Sequence, residues 1–174
     1  MIAGIDVGKV SYIAVIEGRK IVYVGTLENC DVEFEFAGID APLSFPKEGY
    51  FRECERKLHR MGIRLLPPKF IERIALKGIE IAEGLKKKGV VVYEVYPYAT
   101  RVLLNIAPKV DKKKAEGRLA ILSDLRRFID VEDVDDHNII DAIISALTVR
   151  LHIEGEGEIV EGRDGAILIP KPQL

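Results

Sequence analysis

Two aspartates occupy equivalent positions at the ends of two short apolar segments. Asp6 ends the segment Gly4-Ile5-Asp6, and Asp40 ends the segment Gly38-Ile39-Asp40. If the segments are neighbouring parallel strands, their carboxylates lie side by side, because adjacent strands are ~4.8 Å apart. Carboxylates this close raise each other's pKa unless a cation lies between them, and hard oxygen ligands select Mg²⁺ or Mn²⁺. The alternative is that each aspartate only caps a turn.

A third acid, Asp141, lies in an otherwise apolar segment near the C-terminus. The periodicity predicts a largely buried helix from about Asn138 to His152, in which Asp141, Ser145 and Thr148 form a narrow polar stripe. A buried acid is costly unless it is paired or coordinates a metal. We therefore expect Asp141 to join the two strand-end aspartates, and the alternative is a stripe that faces water.

Further candidates are less specific. Glu94 lies inside a β-prone segment, where it is either a fourth catalytic acid or the partner of a basic side chain such as Arg52 or Arg118. His137 is a candidate general acid or base beside Asp141, with helix capping or solvation as the alternative.

Four other residues have a structural explanation. Ser44 is a candidate nucleophile, but its proline-flanked setting favours a loop hydroxyl that bonds the backbone. Cys54 has no histidine partner nearby in the sequence and is expected to be a small core residue. Asp135 and Asp136 are expected at the N-terminus of the last helix, where negative charge is favourable.

The order of the predicted elements indicates the fold that would position these residues. Three strands joined by short turns form an antiparallel meander, and the fourth and fifth strands each follow a long connection that favours parallel pairing. We predict an α/β fold, a mixed five-stranded sheet of order 3-2-1-4-5 with strand 2 antiparallel and helices on both faces, in one domain over residues 1–174. The predicted strands are 2–7, 11–17, 20–27, 34–40 and 90–96, the helices 52–61, 69–88, 98–106, 114–129 and about 138–152, and a terminal hairpin covers 158–169.

Charge is unevenly distributed along the chain, although the net charge is only −2. Residues 52–118 contain 17 basic and 8 acidic residues, a net of +9, between a first segment of net −4 and a last segment of net −7. A cationic surface beside an anionic pocket suits a metal-dependent enzyme that acts on phosphates. Solvated helix faces with local ion pairs are the alternative.

Composition excludes several classes of protein. No apolar run approaches the ~20 residues that span a bilayer, and the N-terminus does not resemble a signal peptide, so we expect a cytoplasmic protein. The two cysteines have no zinc-binding spacing. Few amides and many charged residues are typical of proteins from thermophiles.

Several motifs together resemble a known family. The blocks Ile39-Asp40-Ala41-Pro42-Leu43-Ser44 and Tyr93-Glu94-Val95-Tyr96-Pro97, with Ile140-Asp141-Ala142 and the closing Ile167-x-Ile169-Pro170, look like domain-of-unknown-function family 429. Members of that family are predicted nucleases of the ribonuclease-H-like superfamily, which includes RuvC-type resolvases. The resemblance spans nearly the whole chain.

The resemblance implies a two-metal phosphodiesterase that acts on nucleic acid, either DNA or RNA. Asp6 would bridge two Mg²⁺ or Mn²⁺ ions, with Asp40 and Asp141 each binding one. In RuvC-type helices a further acid often lies three residues before the last aspartate, where this chain has the neutral Asn138, so the number of metals stays open. The resemblance also implies that phosphates are held by Arg52, Lys113, Lys114 and Arg118.

Two other functions remain compatible with the sequence. One is a non-catalytic module that binds metal and nucleic acid or senses a metabolite. The other is a nucleotide-binding, kinase-like domain, to which Asp6-Val7-Gly8-Lys9 is loosely similar. That class clamps its nucleotide between two domains, which one chain of this length provides only by dimerising. The sequence leaves the oligomeric state open, a homodimer included.

Overall fold

Five strands form one mixed sheet, and a separate hairpin follows near the C-terminus. A computed structural model describes residues 1–172. The strands are β1 (Ile2–Asp6), β2 (Tyr12–Glu17), β3 (Lys20–Thr26), β4 (Phe36–Asp40), β5 (Val91–Glu94), β6 (Gly157–Gly162) and β7 (Gly165–Pro170). The helices are α1 (Glu53–Arg60), α2 (Glu72–Lys87), α3 (Pro97–Leu103), α4 (Ala115–Leu125) and α5 (His137–Ile153), with short 3₁₀ helices at Leu27–Asn29 and Pro68–Ile71.

The topology of the main sheet confirms the predicted fold class. Its order is β3-β2-β1-β4-β5, in which β2 runs antiparallel to β1 and β3, while β1, β4 and β5 are parallel. The long connections before β4 and β5 permit the parallel pairing, as the sequence predicted. The carboxyl ends of β1 and β4 therefore meet at one edge of the sheet, where open α/β sheets place their ligands.

The register of β1 and β4 determines which side chains share a face. Gly4 pairs with Gly38 and Asp6 pairs with Asp40. Because alternate residues of a strand point to opposite faces, the glycines and the aspartates point to the same side, and the isoleucine between them points to the other. On β5, the partner of Ile39 is Glu94.

Helices cover both faces of the sheet, each over its own apolar core. α5 packs across β1, β2 and β4, and its residues Ile140–Leu151 are all buried. On the opposite face, α2 packs against a core that includes Ile5, Val15 and Ile39. The prediction of a largely buried last helix is therefore confirmed.

The close approach of α5 to the sheet depends on the two glycines. A Cβ atom added to Gly4 would overlap the carbonyl oxygen of Ala142 and the amide nitrogen of Ala146, both in the backbone of α5. A Cβ on Gly38 would lie 2.9 Å from the carbonyl oxygen of Ser145. The glycine two residues before each strand-end aspartate thus lets the helix lie directly on the strands.

The C-terminal hairpin, β6 and β7, closes a third apolar cluster with α1 and α3. Cys54 and Leu58 of α1 pack there with Ile167 and Ile169 of β7. The expectation that Cys54 is a core residue is confirmed. Among residues 1–172, no helix is long and apolar enough to cross a membrane.

The predicted helix at 98–106 is shorter in the structure. α3 ends at Leu103, because Asn105 and Ala107 have positive φ angles of 51° and 36°. A left-handed backbone at these positions cannot continue a right-handed helix. This turn directs the chain into the loop that leads to α4.

Candidate metal centre

Three carboxylates that are distant in the sequence converge at one edge of the sheet. Asp6 ends β1, Asp40 ends β4, and Asp141 lies near the start of α5. One oxygen atom of each lies within 4.8 Å of the others, which is close enough for a shared metal ion. Asp141 is only 3% exposed, and the other two are half-buried. The convergence expected from the sequence is observed.

The burial of these carboxylates perturbs their titration. Burial, and then the charge of Asp141, raises the pKa of Asp6 to about 7. Burial and the charges of Asp141 and Asp6 raise the pKa of Asp40 well above its usual value. Burial also raises the pKa of Asp141, although a neighbouring lysine opposes that shift. Three acids whose charges are this poorly compensated form a suitable site for a divalent cation.

Lys112 is a member of the site that the sequence analysis did not identify. Its ammonium group forms an ion pair with the Asp141 carboxylate. The sequence indicated Lys113 and Lys114, which are exposed on the same loop. In a run of three lysines, nothing in the sequence shows which one points inward, because the loop conformation decides it.

Arg118 supports this loop from the first turns of α4. Its Nη1 donates a hydrogen bond to the carbonyl oxygen of Lys113 at 2.8 Å, and a weaker one to that of Lys112 at 3.4 Å. The resemblance had implied that Arg118 holds a phosphate. In the structure Nη1 of its guanidinium group holds the backbone that presents Lys112 to the site.

Arg52 and Glu94 form a buried ion pair instead of contacting the acidic cluster. Arg52 is 1% exposed, and its Nη1 and Nη2 donate to the two carboxylate oxygens of Glu94 at 2.7 and 2.5 Å. Nη2 also donates to Glu55 at 2.8 Å. This network corrects the expectation that Arg52 binds phosphate, because its guanidinium is buried among protein acceptors.

The orientation of β5 explains why Glu94 does not join the three aspartates. The preceding residue, Tyr93, packs its ring against His152 of α5, with ring centroids 5.1 Å apart. Glu94 therefore lies on the face of the sheet opposite α5, where its carboxylate pairs with Arg52 although the residue lines a cavity that it shares with the three aspartates. The predicted role as a fourth catalytic acid is replaced by the pairing with Arg52 that was its alternative.

Ser44 also has a structural partner. Its hydroxyl donates to the carbonyl oxygen of Asp164 at 2.6 Å and accepts a hydrogen bond from Arg52 at 2.9 Å. The Asp164 carboxylate accepts hydrogen bonds from the backbone nitrogens of Glu53 and Lys47. The expectation of a loop hydroxyl bonded to the backbone is confirmed, and the bond fastens the β6–β7 turn to this loop.

The N-terminus of α5 lies beside the acidic cluster. Asp136 is the N-cap, and its carboxylate accepts hydrogen bonds from the backbone and side-chain nitrogens of Asn138 at 2.8 and 2.9 Å. The capping role is confirmed for Asp136, while Asp135 is exposed. Asn138 lines the cavity above the aspartates, and His137 is near enough that its charge would lower the pKa of Asp141.

A cleft crosses the sheet edge at the three aspartates. On one side is a cavity of about 500 Å³, and on the other a smaller one of about 320 Å³. Both contain Asp40, Asp141 and Lys112. The larger cavity has an apolar wall made by Val7, Pro42, Leu65, Leu66, Ile71 and Ile74. The smaller one is bordered by Tyr96, Tyr98, Arg101 and Val110.

The raised pKa of Asp6 leads to a testable pH dependence of stability. Its folded-state pKa of about 7 exceeds the ordinary value of 3.8, so the folded protein binds this proton more tightly than the unfolded chain does. Stability of the metal-free protein should therefore fall as the pH rises from 5 to 8, by about 5 °C in Tm. Thermal melts in EDTA would measure the fall, and Asp6→Asn should reduce it. A Tm that stays level or rises over this interval would contradict the prediction.

The environment of Glu94 leads to a second prediction. Glu94→Gln keeps the size of the side chain but weakens its charge-assisted hydrogen bonds with Arg52, so we expect a loss of about 2 kcal/mol in unfolding free energy. Because the Glu94 carboxylate is bonded to Arg52 and does not belong to the cluster of three aspartates, its replacement should change the Mn²⁺ dissociation constant by less than about twofold. Urea unfolding and calorimetric titration would measure the two effects. Loss of Mn²⁺ binding in a folded variant would restore Glu94 as a ligand.

Comparison with known proteins identifies one family. The family model described as "Protein of unknown function (DUF429)" matches residues 4–164. No curated protein sequence is significantly similar to this chain. Two solved structures of Thermus thermophilus RuvC are similar at 14% sequence identity. The match to the RuvC structure has a TM-score of 0.46 and covers 95% of this chain and 98% of the RuvC chain. The match to RuvC in complex with a Holliday junction substrate has a TM-score of 0.48 and covers 88% of this chain and 95% of the RuvC chain.

Proposed function

We propose that this chain, which belongs to the DUF429 family of proteins of unknown function, is a nuclease that hydrolyses phosphodiester bonds with a divalent metal ion. One observation carries the proposal: the carboxylates of Asp6, Asp40 and Asp141 offer three oxygen ligands within 4.8 Å of one another, in a cleft. Such acidic clusters are the usual means by which proteins place Mg²⁺ or Mn²⁺ beside a phosphate.

The residues present fit a hard divalent cation. All three ligands are carboxylates, with no sulfur and no imidazole among them, so the site favours Mg²⁺ or Mn²⁺ over zinc or copper. The three negative charges lie in a partly buried position, where burial and mutual repulsion raise their pKa values. A cation there would relieve a repulsion that Lys112, paired with Asp141, relieves in part.

The side chains around the cluster have distinct tasks in this proposal. Asp6, Asp40 and Asp141 hold the ion, which when bound supplies positive charge that stabilises the phosphoryl group during hydrolysis. Lys112 adds a positive charge at the same edge. The rigid positions of the two strand ends and the buried helix keep the three carboxylates in place before substrate arrives.

Nucleic acid is the proposed substrate, and DNA and RNA are both retained. Lys113 and Lys114 are exposed beside the inward-pointing Lys112, where they can attract phosphates that flank the cleaved bond. Arg52 is not included, because its guanidinium group is buried and bonded to protein acceptors. Arg118 stays a proposed phosphate contact, because its hydrogen bonds to the loop carbonyl oxygens use Nη1. The apolar wall of the larger cavity would contact the uncharged parts of a nucleotide.

A cleavage assay on the intact chain tests the proposal. Labelled single-stranded, duplex and branched DNA, and single-stranded and duplex RNA, would be incubated with the protein in Mg²⁺, in Mn²⁺ and in EDTA. We expect at least one substrate to be cut in Mg²⁺ or Mn²⁺ and none in EDTA. ATP would be included as a further substrate, because a kinase-like protein would bind or consume it.

Two outcomes of this assay would contradict the nuclease and favour another function. Metal and nucleic-acid binding without cleavage of any substrate would contradict the nuclease and favour a non-catalytic binding or sensing module. ATP turnover without cleavage would favour the kinase-like alternative.

A further inference from the structure

The cation already present in the acidic cluster is the side chain of Lys112. Its ammonium group is paired with Asp141, which is almost fully buried. Lys112 also lines both cavities at the cluster, together with Asp40 and Asp141. Lys112 is therefore a fourth member of the site, not a surface lysine that reaches one neighbour.

The loop that carries Lys112 is fixed by several contacts. The Asp111 side chain accepts a hydrogen bond from the Lys113 nitrogen at 2.9 Å, and the Asp111 carbonyl oxygen accepts one from the Lys114 nitrogen at 3.1 Å. Gly117 packs directly against the Asp111 backbone, where an added Cβ would overlap the carbonyl oxygen. With Arg118 holding the Lys113 carbonyl, these contacts present the Lys112 side chain to the cluster in a defined position.

The other acids around the cluster, Asp111, Asp136, Glu55 and Glu94, all accept hydrogen bonds from donors of the protein itself. Glu94 and Glu55 are both bonded to Arg52, and position 138 holds a neutral asparagine whose amide donates to Asp136. The cluster within residues 1–172 thus offers three carboxylates and one ammonium group. One divalent ion together with Lys112 neutralises the three carboxylates, whereas two divalent ions beside Lys112 would leave excess positive charge.

We propose that Lys112 takes the place of a second metal ion, so that the site holds a single divalent cation while the ammonium group stays in the cluster. This inference rests on the proposed nuclease function for its biological meaning, but the metal stoichiometry can be measured without any cleavage. When substrate is bound, the positive charge of Lys112 attracts the phosphate, so that a second metal ion is not needed. The atoms of Lys112 form no bond with the substrate.

Calorimetric titration of the metal-free protein with Mn²⁺ tests the inference. The unchanged chain should bind one Mn²⁺. Lys112→Met keeps an unbranched side chain of nearly the same length but removes its charge, so this variant should bind the first ion at least about tenfold more tightly and should take up a second. Lys113→Met is the matched control, because its side chain is exposed, and it should behave as the unchanged chain does.

Electron paramagnetic resonance gives a second readout that does not depend on affinity. An isolated Mn²⁺ ion is expected in the unchanged chain, in Lys113→Met and in Lys112→Arg, which keeps the positive charge. Lys112→Met, loaded with excess Mn²⁺, should instead give the broadened signal of two interacting ions. Circular dichroism and thermal melts would establish that each variant is folded before it is titrated.

Several results would overturn the inference. Binding of two Mn²⁺ ions by the unchanged chain would show that a metal ion displaces Lys112 from the cluster. This result would not contradict the nuclease proposal. A folded Lys112→Met that binds one ion with affinity within twofold of the unchanged chain would show that the lysine does not occupy a cation position. Absence of Mn²⁺ binding in the unchanged chain would remove both proposals. One bound Mn²⁺ with no cleavage would instead support the role of Lys112 and contradict only the nuclease.

Discussion

Asp6→Asn is expected to reduce metal-dependent cleavage by at least about 10³-fold. The substitution removes one of the three carboxylate charges that hold the ion, and the charge stabilisation supplied by a catalytic metal is worth several kcal/mol. Asp141→Asn should have a similar effect, because its carboxylate belongs to the same cluster. Initial cleavage rates in saturating Mn²⁺, on whichever substrate the unchanged chain cuts, would measure the loss.

The stability of these variants separates a functional role from a structural one. Because burial and repulsion raise the pKa of Asp6, replacing its carboxylate with an amide should leave the Tm of the metal-free protein unchanged or raise it. Asp133→Asn is a suitable control, since Asp133 is an exposed acid paired with Arg126 and should keep full activity. A large fall in Tm for Asp6→Asn or Asp141→Asn would make the acids structural.

Gly4→Ala is expected to have the largest effect on the fold itself. The added methyl group would overlap backbone atoms of Ala142 and Ala146, which are part of α5 and cannot rotate aside as a side chain could. We expect overpacking of this kind to lower the unfolding free energy by about 3 kcal/mol. The overlap can be relieved only if α5 moves away from β1. Because α5 carries Asp141, Mn²⁺ binding should be lost together with stability.

The matched control for this substitution lies in α2. Gly84→Ala places the same methyl group in a helix where no atom lies within 4 Å of the new Cβ. Alanine is the better helix former, so this variant should be as stable as the unchanged chain or more stable by up to about 1 kcal/mol. Urea unfolding of both variants, with Mn²⁺ titration of any that fold, would measure the difference. A Gly4→Ala protein with normal stability and Mn²⁺ binding would contradict the role assigned to this glycine.

Much of the fold could be predicted because its determinants are local. Alternation of apolar residues, the turn at Gly18, and the prolines and glycines that end segments place most strands and helices close to their observed bounds. The predicted helices 98–106 and 114–129 run beyond the ends of α3 at Leu103 and α4 at Leu125. The long connections before β4 and β5 then favour parallel pairing, from which the sheet order follows. The matching triplets Gly4-Ile5-Asp6 and Gly38-Ile39-Asp40 also indicated the observed register.

The same triplets show where prediction reached its limit. Their aspartates were correctly expected to meet, because equivalent ends of neighbouring parallel strands lie together whatever the rest of the chain does. That Gly4 and Gly38 allow the close approach of α5 is visible only from the contacts of the folded chain. That contact joins residues more than 100 positions apart, and no local pattern reports how closely a helix approaches a strand.

The three aspartates, and the edge of the sheet at which they gather, could be identified from the order of residues along the chain. Which of the nearby charged residues join them depends on how the chain is packed in three dimensions. β5 directs Glu94 to the face opposite α5, where Glu94 pairs with Arg52, so neither residue joins the three aspartates. Lys112 does join them, because contacts of Asp111, Gly117 and Arg118 set the conformation of its loop. The physical reason is that backbone alternation and chain order are fixed locally. The direction of a charged side chain depends on the partners that compensate its burial, and those partners are known only once the chain has folded.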